Sequence, residues 1–184
     1  GAGILAKTVY GGITGNYGGL KLSDLYTDYM VLQRNTPLDI HGTANTGEQV
    51  VVSIAGQKVS AIANNRGEWN VTLQPLAVGT DYTLTIQADK QKKEFRHVAV
   101  GEVWLCSGQS NMAFQLNQAA TGKRDIAQAN DPDLRLFDMK GRWETYDVAW
   151  PASCLDSLNH LQYYRNTTWK GATPETVAQF SAVA

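Results

Sequence analysis

The spacing of apolar residues divides the chain into two parts. Between residues 22 and 98, apolar and polar positions alternate with a period of two in short runs, as in strands that bury one face. Val50–Ile54 and Lys58–Ala63 flank Ala55-Gly56-Gln57, which predicts a hairpin with a short loop. Asn64-Asn65-Arg66-Gly67 marks the next turn, and the alternating run Glu68–Leu73 follows it. In Asp81–Gln87, Tyr82, Leu84 and Ile86 share one face, with threonines opposite. Short strands joined by Gly- and Asn-rich turns predict an Ig-like β-sandwich over 22–98. Trp69 reads as a core aromatic of that unit, with a sugar-stacking surface as the alternative. Residues 1–21 are Gly-rich and aperiodic and predict an irregular arm, ordered only where it docks.

The pattern changes at Val98. The near-continuous apolar run Val98–Cys106 predicts a parallel strand buried on both faces. Lys123–Asn130 suits a helix, Asn130-Asp131-Pro132-Asp133 breaks it, and Leu134–Phe137 reads as the next parallel strand, a βαβ opening. Residues 138–170, with Trp143, Trp150, Tyr163 and Tyr164, show little periodicity and predict a long loop. Thr173 is a candidate N-cap and Pro174 suits the first helical turn, with Val177, Phe180 and Ala184 on one face. Glu94–Val100 holds no Pro, Gly or Ser spacer, so the first part is expected to pack directly on the second.

Between the predicted strand and the next helix lies Ser107-Gly108-Gln109-Ser110. A strand entering a Gly-containing turn and then a helix start exposes a nucleophilic hydroxyl. Gly108 lets the backbone turn sharply, and Ser110 would stand at the carboxyl end of the strand. The alternative is a buried strand followed by an ordinary polar N-cap, and spacing alone leaves both open.

The residues themselves carry a resemblance. Gly101-Glu102-Val103-Trp104-Leu105-Cys106-Ser107-Gly108-Gln109-Ser110-Asn111-Met112 resembles the nucleophile block of the sialate O-acetylesterase family, a branch of the SGNH hydrolases, and that of the related acetylxylan esterases. Asp28–Arg34 is similar to the family's N-terminal signature, Ala44–Val50 to its small β-domain, and Thr173–Ala184 to its helix downstream of the serine. The likeness covers residues 22–184, with a loose middle section. It implies a β-sandwich followed by the beginning of an α/β/α, flavodoxin-like SGNH-hydrolase domain, with 99–184 its incomplete N-terminal part.

The resemblance also implies site residues. Ser110 would be the nucleophile, with its backbone N–H one oxyanion donor. A later Gly and Asn would supply the other donors, and a D-x-x-H motif near the C-terminus the base and its orienting Asp. None of these later blocks stands in this chain. His41, in Leu38–Thr43, and His97, before the key strand, read as structural. His160 follows Asp156 with the spacing D-x-x-x-H, one residue off the family's pattern and too early in the chain. The base is therefore expected in a downstream segment or a second chain. Gln109 and Asn111 would support the turn through side-chain-to-backbone hydrogen bonds, and Met112 would plug the core behind it. Arg34 either pairs with a carboxylate across the junction or is a solvated loop charge.

Composition narrows the function classes. Sixteen Lys and Arg against 17 Asp and Glu leave a net charge of −1, with no basic patch for nucleic acid or an anionic membrane. No apolar run approaches the ~20 residues of a membrane helix. No His/Cys/Asp cluster has metal-ligand spacing, and no cofactor is implied. Cys106 reads as a core hydrophobe and Cys154 as a loop residue, both reduced. The sequons Asn70-Val71-Thr72 and Asn166-Thr167-Thr168 matter only in a eukaryotic secretory route. Gly1-Ala2-Gly3 is not a natural start, which leaves room for a removed leader or an added tag.

Two functions follow. One is a serine esterase removing O-acetyl groups from sugars, sialic acid or xylan, in a secreted, periplasmic or lysosomal setting. The other is a non-catalytic carbohydrate-binding or scaffolding β-sandwich.

Overall fold

The computed structural model describes residues 19–141, 149, 151–159 and 167–184. Seven strands come first: β1 (Val31–Gln33), β2 (Leu38–Thr43), β3 (Gln49–Ile54), β4 (Gln57–Ile62), β5 (Glu68–Leu73), β6 (Gly79–Ala88) and β7 (Gln91–Gly101). After them come α1 (Gly122–Gln128), β8 (Asp131–Leu136), α2 (Ala152–Asn159), β9 (Lys170–Ala172) and α3 (Pro174–Val177).

Strands β1-β7-β6-β3-β4 form a mixed five-stranded sheet in that order. β1 and β7 are parallel and the other neighbours antiparallel. β2 and β5 form an antiparallel pair with Leu38 opposite Leu73 and Ile40 opposite Val71. Both sheets feed one hydrophobic core: Ile40, Val71 and Leu73 from the smaller, and Val50, Val52, Leu84, Ile86, Val98 and Val100 from the larger. The alternation in the sequence is an alternation of burial, as along Glu68–Leu73, where exposed and buried residues take turns. Full burial of each such aliphatic side chain contributes about 1.5–3 kcal/mol.

Trp69 is a core residue, 3% exposed. Gly42 lies opposite it in register. A Cβ on Gly42 would meet Trp69 Cζ2 at 2.9 Å and the Lys21 carbonyl oxygen at 2.5 Å, so the packing admits only glycine. The β3–β4 hairpin turns on two residues, Ala55 (φ 49°) and Gly56 (φ 78°), the left-handed pair that matches strand twist. Gln57, expected in the loop, already pairs with Ile54. A bulge breaks β7: Leu84 pairs with Phe95 but Tyr82 with Val98, and His97 takes φ 54°. Leu20, at the end of the expected arm, is buried in the core, and Lys21 bridges to Thr43.

Beyond Gly101 the structure departs from the sequence pattern. The apolar strand expected through Cys106 ends at Gly101, and residues 102–108 have no regular structure. Trp104 is 83% exposed and Leu105 76%. β8, its expected parallel neighbour, pairs antiparallel with β9 instead. Among the described residues there is thus no βαβ opening. The physical reason is pairing: a strand apolar on both faces needs neighbours on its edges and cover on both faces, and no described strand pairs with 102–108.

Other expectations change with it. Cys106 is exposed because its strand does not form. Cys154 is no loop residue: it is buried on α2, which lies inside the expected loop 138–170, and burial pushes its thiol pKa up. Thr173 caps α3 as predicted, accepting from Thr176 N at 3.3 Å. The helix ends at Val177, because the last residues pair with the chain around Gln115. Trp143, Trp150, Tyr163, Tyr164, Asn166 and His160 lie outside the described residues.

Candidate active site

The exit of β7 is anchored by polar contacts. Arg34 N donates to the Gly101 carbonyl at 2.9 Å, and Arg34 Nε pairs with Glu102 Oε1 at 2.5 Å. Gln33 Nε2 donates to Glu102 Oε2 at 3.0 Å, and Gln33 Oε1 accepts from Val103 N at 2.9 Å. Of the two readings of Arg34, pairing holds. Hydrogen bonds from Gln33 and Arg34 keep the Glu102 carboxyl below the usual carboxylate range.

The chain then runs through exposed Val103–Ser107 into a short 3₁₀ turn, Ser110–Ala113, in place of the expected helix start. Backbone bonds hold this turn, Met112 N to the Gln109 carbonyl at 2.9 Å and Phe114 N to the Asn111 carbonyl at 3.1 Å. The expected side-chain support is not observed. Gln109 makes no capping bond, and among the described residues neither it nor Asn111 has a side-chain hydrogen bond. Gly108 is not left-handed. Its role is close approach, since a Cβ there would stand 3.3 Å from Met112 Cβ.

Ser110 is exposed, and its hydroxyl has no hydrogen-bond partner among the described residues. The segment after it is clasped by the end of the chain. Ala182 N donates to the Phe114 carbonyl at 2.8 Å and Leu116 N to the Phe180 carbonyl at 3.0 Å. Ser181 Oγ donates to Met112 Sδ at 3.3 Å. Met112 is therefore half-buried against Gly108 and Ser181 rather than plugging a core.

A cleft of about 750 Å³ lies beside this turn. Gly108, Gln109 and Met112 from the turn line it, together with Trp104, Phe137 and Trp169 and with Asp39 and His41 of β2. Ser110 itself is outside that lining. Neither described histidine hydrogen-bonds Ser110. His97 Nδ1 is 2.8 Å from Asp81 Oδ1, and its ring stacks on Tyr29 at 5.0 Å. The His41 ring meets Tyr26 edge-on at 6.3 Å.

One residue the sequence did not single out joins the two parts of the molecule. Arg135, on β8, donates from Nη1 to the carbonyls of His97 and Tyr29 (3.0 Å for Tyr29) and from Nη2 to that of Thr80 at 3.0 Å. Its guanidinium also lies 5.5 Å from the Tyr29 ring centroid. Tyr29 and His97 both have left-handed backbones, φ 64° and 54°. Burial lowers the pKa of Arg135, partly offset by Asp133 and other negative groups. Trp169 adds a second tie, its Nε1 donating to the Leu25 carbonyl at 3.0 Å. Nothing in the alternation Leu134-Arg135-Leu136 sets Arg135 apart from any solvent-facing strand residue.

Among the described residues no cluster of His, Cys, Asp and Glu could hold a metal ion.

Comparison with known proteins adds the chemistry of relatives. No family model matches the chain. The sialate O-acetylesterase of Homo sapiens is 30% identical over 173 residues, 82% of this chain and 33% of that protein. The sialate O-acetylesterase of Rattus norvegicus is 25% identical over 162 residues, 77% of this chain and 30% of that protein. A solved carbohydrate acetylesterase of Xanthomonas citri superposes with TM-score 0.75 at 34% identity, over 89% of this chain and 35% of that one. The chain thus spans about a third of the length of the relatives it matches.

Proposed function

We propose that this chain, homologous over most of its length to sialate O-acetylesterases, removes O-acetyl groups from sugars through an acyl-enzyme on Ser110. Relatives of the chain are esterases, and Gly101–Met112 resembles the nucleophile block of that family. The observation that carries the reading is the placement of Ser110. It is exposed and unpaired among the described residues, on a turn whose neighbours Gly108, Gln109 and Met112 line the cleft.

In this reading Ser110 Oγ attacks the acetyl carbonyl while a base takes its proton. The oxyanion accepts a hydrogen bond from the Ser110 backbone N–H. Collapse expels the sugar oxygen, which recovers the proton, and water then releases acetate. The base and its Asp come from a downstream segment or a second chain. Gly108 lets the turn pack on Met112, and Gln109 and Asn111 flank the nucleophile. Residues 22–98 form a β-sandwich and 99–184 the N-terminal part of an SGNH-hydrolase domain. The exposed Trp104 and Leu105 form the seam on which the remaining strands pack. The enzyme works in a secreted, periplasmic or lysosomal setting.

A fluorophosphonate probe tests the reading. Joined to the downstream part of the domain, the chain is expected to label at Ser110, and alone to label weakly. Absence of labelling at Ser110 in the joined protein overturns it in favour of a non-catalytic carbohydrate-binding unit.

A further inference from the structure

Where the chain leaves the larger sheet toward Ser110, a side chain takes the place of a strand neighbour. β1 runs parallel to β7 with Gln33 opposite Gly101, and Arg34 N donates to the Gly101 carbonyl at 2.9 Å. The next bond of such a ladder would run from Val103 N to the Arg34 carbonyl. Among the described residues that bond is not made: β1 ends at Gln33, and Asn35 turns left-handed at φ 59°. The Gln33 carboxamide stands in the gap. Its Oε1 accepts from Val103 N at 2.9 Å, and its Nε2 donates to the Arg34 carbonyl at 3.4 Å.

The same Nε2 donates to Glu102 Oε2 at 3.0 Å, and Glu102 Oε1 pairs with Arg34 Nε. One carboxamide thus fixes two successive residues, Glu102 and Val103, just past the end of β7. After them, Trp104–Gly108 make no hydrogen bond among the described residues. The next tie to a distant part of the chain lies beyond Ser110, where Ser181 Oγ donates to Met112 Sδ and Ala182 N to the Phe114 carbonyl. A segment with no bonds of its own takes its course from its two ends, and Ser110 lies between these two.

We propose that Gln33 is a positioning residue for the nucleophile: its carboxamide sets the direction in which the chain leaves β7, and so the place of the Ser110 hydroxyl relative to the cleft. The inference rests on the esterase reading. Magnitudes separate placement from stability. Arg34 and Glu102 are exposed and Gln33 is half-buried, and contacts of that kind add little to the stability of a fold. Rate is far more sensitive, because a displacement of about 1 Å can cost about 10²-fold. Loss of the Gln33 carboxamide is therefore expected in kcat rather than in the melting temperature.

The test uses the chain joined to the downstream part of the domain, and reads p-nitrophenyl acetate turnover, fluorophosphonate labelling of Ser110 and thermal melts. Gln33→Ala is expected to lower kcat and the labelling rate about tenfold, with KM changed by no more than about twofold and the melting temperature nearly unchanged. Gln33→Glu should do no better, since it sets a second carboxylate against Glu102. Adding Glu102→Gln to it should recover most of kcat. The exchanged carboxylate still accepts from Val103 N, and the exchanged amide donates to it while its oxygen still meets Arg34 Nε. An unchanged kcat in Gln33→Ala, a fall in melting temperature alone, or a double variant no faster than Gln33→Glu overturns the inference. Labelling of the parent protein separates this from the esterase reading. No labelling at Ser110 in the parent ends the reading and the inference with it. Labelling in the parent, at the same rate in Gln33→Ala, leaves the reading and removes the inference.

Discussion

Residues 19–101 and residues 102–184 are built from similar amino acids and reach opposite outcomes. In the first region, apolar positions alternate and the two sheets close over them, leaving Leu73, Leu84 and Ile86 fully buried. In the second, the apolar run Val103–Leu105 is exposed. An alternating strand needs only one covered face, and the opposing sheet of the same region supplies it. A strand apolar on both sides needs partners in every direction, and here its expected neighbour β8 is taken by β9. Hydrophobicity is a property of the residue, whereas burial belongs to the arrangement around it.

The sharpest way to test the contrast is at the turn the second region exposes. Ser110→Ala, in the chain joined to the downstream part of the domain, should lower acetyl-ester turnover by about 10⁶-fold without changing the fold. Steady-state assay on p-nitrophenyl acetate checks it, and near-normal turnover would falsify the nucleophile assignment.

A matched pair of substitutions then compares the two regions directly. Leu84→Ala should cost about 2–5 kcal/mol in urea unfolding, because it opens a cavity in a closed core. Trp104→Ser should change stability by no more than about 0.5 kcal/mol despite removing a larger apolar side chain. Equal losses would mean that Trp104 is covered in solution.

The joint between the regions is the next target. Arg135→Ala should destabilise the protein by about 2–3 kcal/mol, since it strips the carbonyls of Tyr29, His97 and Thr80 of their donor. Arg135→Lys should recover little, because one ammonium cannot span a planar fork. Thermal melts of both variants check this, and a full rescue by Lys would show that charge alone holds the joint.

The smallest effect concerns pH. Glu102 is held below the ordinary carboxylate range in the folded protein. Its stabilising contribution is therefore complete above the ordinary glutamate pKa and is lost as pH falls through the depressed folded value. Because the Arg34–Glu102 pair is exposed, the effect should be slight and weakened by salt. Urea midpoints between pH 3 and 6 (about the glutamate range) should show Glu102→Gln losing this part of the pH dependence.

By itself the sequence determined β3, β4, β5 and β6, the hairpin at Ala55-Gly56, the core place of Trp69 and the cap at Thr173. Each depends on local rules: a period of two, a turn residue that tolerates left-handed φ, a hydroxyl before a helix. A turn at Ser110 was legible from Gly108 and its neighbours, but the strand and helix expected on either side of it are not observed. Tertiary structure alone decided the rest. It ended β7 at Gly101, bent it at His97, turned β8 toward β9, buried Cys154, exposed Cys106 and set Arg135 among four backbone carbonyls. Those outcomes depend on which distant segment claims an open strand edge or an unpaired carbonyl. No periodicity along the chain records that competition.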